Sequence, residues 1–102
     1  MESFGEYIRQ IREGAKMPLR KLAAHLDIDQ STLSKIERNE RQPSKDMVPI
    51  IADVFNLDAQ ELQIKFLSHK ITYELSDEEL GLEALKVAEQ QMEYERKNVQ
   101  KR

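Results

Sequence analysis

Residues 19–38 carry two apolar stripes of helical spacing with only three residues between them. Leu19, Leu22, Ala23 and Leu26 make the first stripe; Leu33 and Ile36 make the second. Asp27, Ile28 and Asp29 separate them, and Asp29 stands where a helix N-cap is wanted. Helices this short do not hold themselves together in water, because nucleation is costly and few bonds follow it. Each must lay its stripe against other helices. The pattern therefore demands a bundle of short, closely linked helices.

The rest of the chain supplies them. Ser3 and Glu6 form a capping box, and Phe4, Ile8, Ile11 and Ala15 recur at helical spacing. Helix 1 is expected over about 3–14, with Gly14 near its end. Pro18 suits the first turn of helix 2, expected over about 18–26. Helix 3 is expected over about 30–38. Ser44 is read as the cap of helix 4, about 45–55, with Met47, Ile50, Ile51, Val54 and Phe55 inward. Asp58 with Glu61 opens helix 5, about 59–73, bearing Leu62, Ile64, Phe66, Leu67, Ile71 and Tyr73. Ser76 with Glu79 opens helix 6, about 77–98, and the last residues, Lys97, Lys101 and Arg102, are expected to fray.

Composition agrees and excludes much else. The chain has 102 residues, 39% apolar and 34% charged, with no cysteine and no tryptophan. Disulfides, thiolate catalysis and Cys-based zinc sites are ruled out. No apolar run approaches the ~20 residues of a membrane span, and no basic-then-apolar leader pattern opens the sequence. These features favour a cytoplasmic location. Net charge is -3, but unevenly placed. Residues 1–45 hold nine Lys/Arg against seven Asp/Glu, and residues 46–102 hold seven against twelve. A basic half beside an acidic half hints at a surface that faces nucleic acid.

Two short helices joined by a three-residue turn form a helix-turn-helix arrangement. In its second helix Leu33 and Ile36 anchor the inner side, leaving Gln30, Ser31, Thr32, Ser34 and Lys35 outward. None of these is acidic. The set suits a helix entering a DNA major groove, where base edges present donors and acceptors. A glutamine can pair with adenine, a lysine can reach guanine O6 and N7, and a threonine methyl can meet that of thymine.

On these residues the chain resembles the Cro/cI-type (XRE, lambda-repressor-like) DNA-binding domain. The resemblance runs through LRKLAAHLDIDQSTLSKIERNERQPS at residues 19–44, with IRQIRE upstream and VPIIADVFNLDAQEL downstream. It covers residues 4–66. It implies an all-α fold, a five-helix lambda-repressor-like bundle over residues 1–74 with an added C-terminal helix over 75–102. It implies a homodimeric transcriptional regulator, most simply a repressor, reading a palindromic operator in double-stranded DNA. Gln30, Ser31 and Lys35 match base-contacting positions, with Thr32 a further candidate. Arg38, Arg41, Gln42, Ser44 and Lys45 match positions that touch phosphates. Arg12 and Glu37 match a partly buried ion pair. Three positions depart from the pattern. Leu19 replaces a frequent phosphate-binding Gln, so Arg20 and Lys21 become the substitutes. Asp27 and Asn39 stand where Gly is common.

The C-terminal helix lies beyond the resemblance. Leu82, Leu85, Met92 and Val99 form a thin stripe of near-heptad spacing, interrupted at Glu89 and Glu95. Helix 5 carries more apolar residues than one bundle face needs. Phe66, Ile71, Leu82, Leu85 and Met92 are therefore expected at a homodimer interface. Alternatively the helix folds back on its own domain. In a further alternative, the seven acidic residues from Asp77 to Glu95 make the helix a protein-binding arm. The chain would then be an antitoxin or a restriction–modification controller. Asp77, Glu78 and Glu79 are read as dipole-stabilising acids before a helix rather than a catalytic cluster. His25 and His69 have no ligand-spaced neighbours in sequence and are read as surface or half-buried. No enzyme activity, cofactor or metal is expected.

Overall fold

The computed structural model describes residues 2–100; of the residues expected to fray, Lys101 and Arg102 lie outside it, whereas Lys97 is helical. Its elements are α1 (Phe4–Gly14), α2 (Leu19–Leu26), α3 (Gln30–Glu37), α4 (Met47–Val54), α5 (Ala59–Leu75) and α6 (Gly81–Gln100). The fold is all-helical among the described residues. The chain divides into two compact units, residues 1–70 and 71–102.

In the first unit, α1 and α2 each pack on α3, and α4 packs on α2. The core is formed by Phe4 and Ile8 of α1, Leu22, Ala23 and Leu26 of α2, and Leu33 and Ile36 of α3. Val48, Ile51 and Ala52 of α4 complete it with Leu62 and Phe66 of α5. Phe4 and Phe66 meet edge-to-face, ring centroids 5.6 Å apart, tying the first helix to the fifth. Lys65 lies 4.0 Å over the Tyr7 ring and adds a cation–π contact between the same helices. At Gly5, any Cβ would overlap the Ile36 carbonyl oxygen, so α1 and α3 touch backbone to backbone there.

Each of the first four helices ends the same way. Lys16, Asp27, Asn39 and Asn56 take positive φ (53° to 62°) just past α1, α2, α3 and α4. The following N–H then reaches back to a carbonyl in the last turn: Met17 to Arg12, Ile28 to Ala23, Glu40 to Lys35 and Leu57 to Ala52. These are Schellman closures, which satisfy carbonyls the helix leaves orphaned. Met17, Ile28 and Leu57 also pack on the core. Asp and Asn tolerate the left-handed region better than most residues, so the absence of Gly at 27 and 39 leaves the turns intact.

The starts differ from the sequence reading. Ser3 accepts the Glu6 N–H as a cap. Asp29 occupies the N-cap of α3 without a side-chain capping bond. Pro18 is the N-cap of α2 rather than its first helical residue. Ser44 does not cap α4: its carbonyl accepts the Met47 N–H in a turn, and the helix begins at Met47. On α4, Ile51 is buried as expected, together with Val48 and Ala52; Met47 and Phe55 are half-buried against the core, Val54 is half-buried, and Ile50, expected inward, is exposed.

In the second unit, α6 begins at Gly81, not near residue 77. Residues 76–80 form a turn in which the Glu78 N–H bonds the Leu75 carbonyl and the Gly81 N–H bonds the Glu78 carbonyl. A Cβ at Gly81 would lie 2.7 Å from the Leu75 oxygen, so only glycine lets α6 start against the end of α5. Asp77, Glu78 and Glu79 thus precede the helix, near its positive end. No helix is long and apolar enough to cross a membrane among the described residues.

Candidate nucleic-acid interface

The solvent side of α3 is built by what its inner side buries. Leu33 and Ile36 are fully inside the core, which turns Gln30, Ser31 and Lys35 outward. Ser31 and Lys35 are one turn apart and so share a face. Thr32 and Ser34 are half-buried at its edges. Glu37 is the one acidic residue of α3, and it points inward.

Glu37 is 4% exposed, and its charge is met by Arg12 of α1. The guanidinium donates two bonds, Nε to Oε2 at 2.8 Å and Nη2 to Oε1 at 3.0 Å. Its Nη1 donates to the Met17 carbonyl at 2.9 Å. The fork therefore fixes α1, α3 and the approach to α2 at one point. The hydrogen bond to Glu37 raises the Arg12 pKa above its ordinary value, against the opposing effect of burial. This geometry leaves the outer face of α3 free of negative charge. Asp27 and Asn39 hold the chain entering and leaving α3 in left-handed turns.

The basic candidates surround this helix in sequence. Arg20 and Lys21 are exposed in the first turn of α2. Arg38, Arg41, Ser44 and Lys45 are exposed between α3 and α4. Arg38 pairs with Glu40 at 2.9 Å, both about half exposed, an exchangeable surface pair. Gln42 is half-buried, and its side-chain oxygen lies 3.0 Å from His69 Nε2 of α5. That leaves the Gln42 amide nitrogen as its donor.

His69 is a residue whose role the sequence reading missed. Its Nδ1 accepts a long bond, 3.4 Å, from the Phe4 N–H. The Nε2 proton then donates to Gln42, so the two partners together suit the neutral ring. Burial lowers the His69 pKa below the ordinary 6.5. The unfolded chain thus binds this proton more readily than the native one. The contribution to stability is present above about pH 6.5 and falls as the pH drops below it. The melting temperature is expected to decline between pH 7.5 and 5.5. His69→Gln should show a shallower decline, and equal slopes would refute the assignment.

Of the residues expected at a dimer interface, the structure moves one. Phe66 is 4% exposed against Phe4 and belongs to the core of its own chain. It shares the buried side of α5 with Leu62 one turn earlier. Ile71, Leu82, Leu85 and Met92 are exposed, as are Ile64 and Leu67.

The comparisons with known proteins concern this same region. A helix-turn-helix family signature matches residues 8–62. Two curated proteins named as uncharacterized HTH-type transcriptional regulators are similar to the chain. They come from Mycobacterium tuberculosis strains CDC 1551 / Oshkosh and ATCC 25618 / H37Rv. Each is 34% identical over 61 residues, covering 60% of this chain and 44% of the relative. The chain thus spans less than half the length of the curated relatives it matches. No solved structure gives a significant match. Since the signature runs from Ile8 in α1 through α2, α3 and α4 to Leu62 in α5, and covers more than half the residues, the chain belongs to the helix-turn-helix family of the Cro/cI (XRE) type.

Proposed function

We propose that the chain is a sequence-specific, homodimeric DNA-binding repressor of transcription, working in the cytoplasm by occupancy rather than catalysis. The observation that carries this reading is the outer face of α3. It offers Gln30, Ser31 and Lys35 to solvent while its one carboxylate is buried and neutralised. With α3 in a major groove, Gln30 and Lys35 read base edges, assisted by Ser31 and the methyl of Thr32. Arg20, Lys21, Arg38, Arg41, Gln42, Ser44 and Lys45 position the protein on phosphates. Residues 1–74 act as the DNA-binding domain and 75–102 as the dimerisation arm. Ile71, Leu82, Leu85 and Met92 serve the subunit contact, and Ile64 and Leu67 extend the exposed apolar stripe of α5. Two copies place their α3 helices about 34 Å apart on a palindromic operator.

The two contact classes separate experimentally. Lys35→Ala is expected to cost about 1–3 kcal/mol on the operator and to relax its sequence preference. Arg41→Ala should weaken all duplexes alike and lower the salt dependence by about one phosphate's worth. The operator is first obtained by selection from a random duplex library. Identical effects of the two variants on selected and random DNA would overturn the assignment of α3.

A second reading draws on Val87 and Tyr94, exposed on the side of α6 away from its heptad stripe. They support a protein-binding arm of antitoxin or controller type. Co-purification of a small basic protein would favour it.

A further inference from the structure

The heptad side of α6 contains more than apolar residues. Leu82, Leu85, Met92 and Val99 are all exposed, at 73%, 38%, 68% and 67%. Their spacing alternates three and four, with Glu89 and Arg96 completing the two gaps in the series. The seam therefore reads Leu82, Leu85, Glu89, Met92, Arg96, Val99, which is two and a half heptads of a and d positions. It extends about 26 Å along the helix at ~1.5 Å per residue.

A second copy of α6 can cover this seam in two ways, and both obey a two-fold axis. If the helices run parallel, each a position meets itself. Glu89 then faces Glu89 and Arg96 faces Arg96, each pair taken partly out of water, where like charges repel most. The flanking positions offer no relief, since they bring Ala88 near Glu93 and Glu95 near Gln100.

If the helices run antiparallel at full overlap, a meets d. Leu82 faces Val99 of the second copy, Leu85 faces its Arg96, and Glu89 faces its Met92. Glu89 and the other copy's Arg96 fall in adjacent layers, about 6 Å apart along the axis. That is within reach of an ion pair, made twice by symmetry. Lys86 and the other copy's Glu93 face each other on the flank, also twice. Glu89, Arg96, Lys86 and Glu93, which repel or idle in the parallel arrangement, each find an opposite in the antiparallel one.

We propose that α6 is an orientation-selective dimerisation element that binds a second copy of α6 antiparallel, with Glu89 and Arg96 fixing the direction. This rests on the homodimer reading above and names its contact. Polar residues on a coiled-coil seam lower stability and specify register and partner arrangement, which is the role assigned here.

The test uses the full chain, in which no native cysteine interferes. Sedimentation first establishes whether a dimer exists. Oxidation of Leu82→Cys/Val99→Cys is then expected to yield a covalent dimer on a denaturing gel, while Val99→Cys alone stays monomeric there. Both positions are exposed, so folding is not at stake. In the second arm, Glu89→Arg or Arg96→Glu alone weakens dimerisation about tenfold, and the double exchange restores it. Cross-linking of Val99→Cys alone would mean parallel helices and overturn the proposal. A stable dimer that neither cysteine variant cross-links would place the contact elsewhere, also overturning it while sparing the homodimer. A monomer at all concentrations would overturn both.

Discussion

Glu37→Ala is expected to lower the unfolding free energy by about 3–5 kcal/mol, measured by urea denaturation. The reason is what the substitution leaves behind. Arg12 keeps its charge at every accessible pH, its side chain is 12% exposed, and two of its donors lose their acceptor. The Met17 carbonyl remains as its one bonded oxygen. An unpaired guanidinium in that position must drag water into the junction of α1 and α3 or pull out of it. A small bundle holds only about 5–10 kcal/mol in total, so half the margin goes with one side chain. Removing both charges is gentler, because nothing is then stranded. Arg12→Met/Glu37→Leu should cost less than the sum of the single changes. An additive cycle would mean the two charges do not depend on each other. The pair also sets where α3 sits, so operator binding should fall in the single variants even under conditions where they remain folded.

That pair illustrates how much was legible beforehand. Arg12 and Glu37 were linked through a family resemblance, not through anything local; the sequence separates them by 25 residues. What local physics did reveal was helix identity wherever one stripe dominated. Leu22, Ala23 and Leu26 sit inside as their spacing indicates, and the three-residue turn after them is where Asp27 turns left-handed. Local reading failed where apolar residues surround a helix. In α4, the run Met47–Val48–Pro49–Ile50–Ile51 is apolar on both sides, so its spacing alone did not tell that Val48 is buried while Ile50 is exposed. In α5, apolar residues on several sides left no way to tell that Phe66 turns inward to Phe4 while Ile64 and Leu67 do not. His69 showed no sequence signal because its partners, Phe4 and Gln42, are 65 and 27 residues away.

Gly5 was equally silent, and it carries the other large effect. On helix propensity alone, Gly5→Ala in α1 should stabilise the chain by up to about 1 kcal/mol. Tertiary structure reverses the sign. The added Cβ would overlap the Ile36 carbonyl oxygen and lie 3.0 Å from its carbon and 3.2 Å from the Glu37 Cα. All three are backbone atoms, so no rotamer change relieves the contact and α1 must back away from α3. That separation loosens Phe4 and Ile8 against the core and stretches the Arg12–Glu37 fork. Overpacking typically costs about 1–3 kcal/mol, and with backbone on both sides the upper end, about 3 kcal/mol, is expected. Gly14→Ala is the internal control: the same helix, a solvent-exposed site and no atom within 4 Å of the new methyl. It should stabilise by a few tenths to about 1 kcal/mol, since its backbone φ is not positive. Thermal unfolding followed by circular dichroism distinguishes them by sign. If Gly5→Ala melts at or above the native temperature, α1 and α3 do not meet backbone to backbone. The Arg12–Glu37 fork would then have to hold α3 across a wider gap than its hydrogen-bond lengths allow.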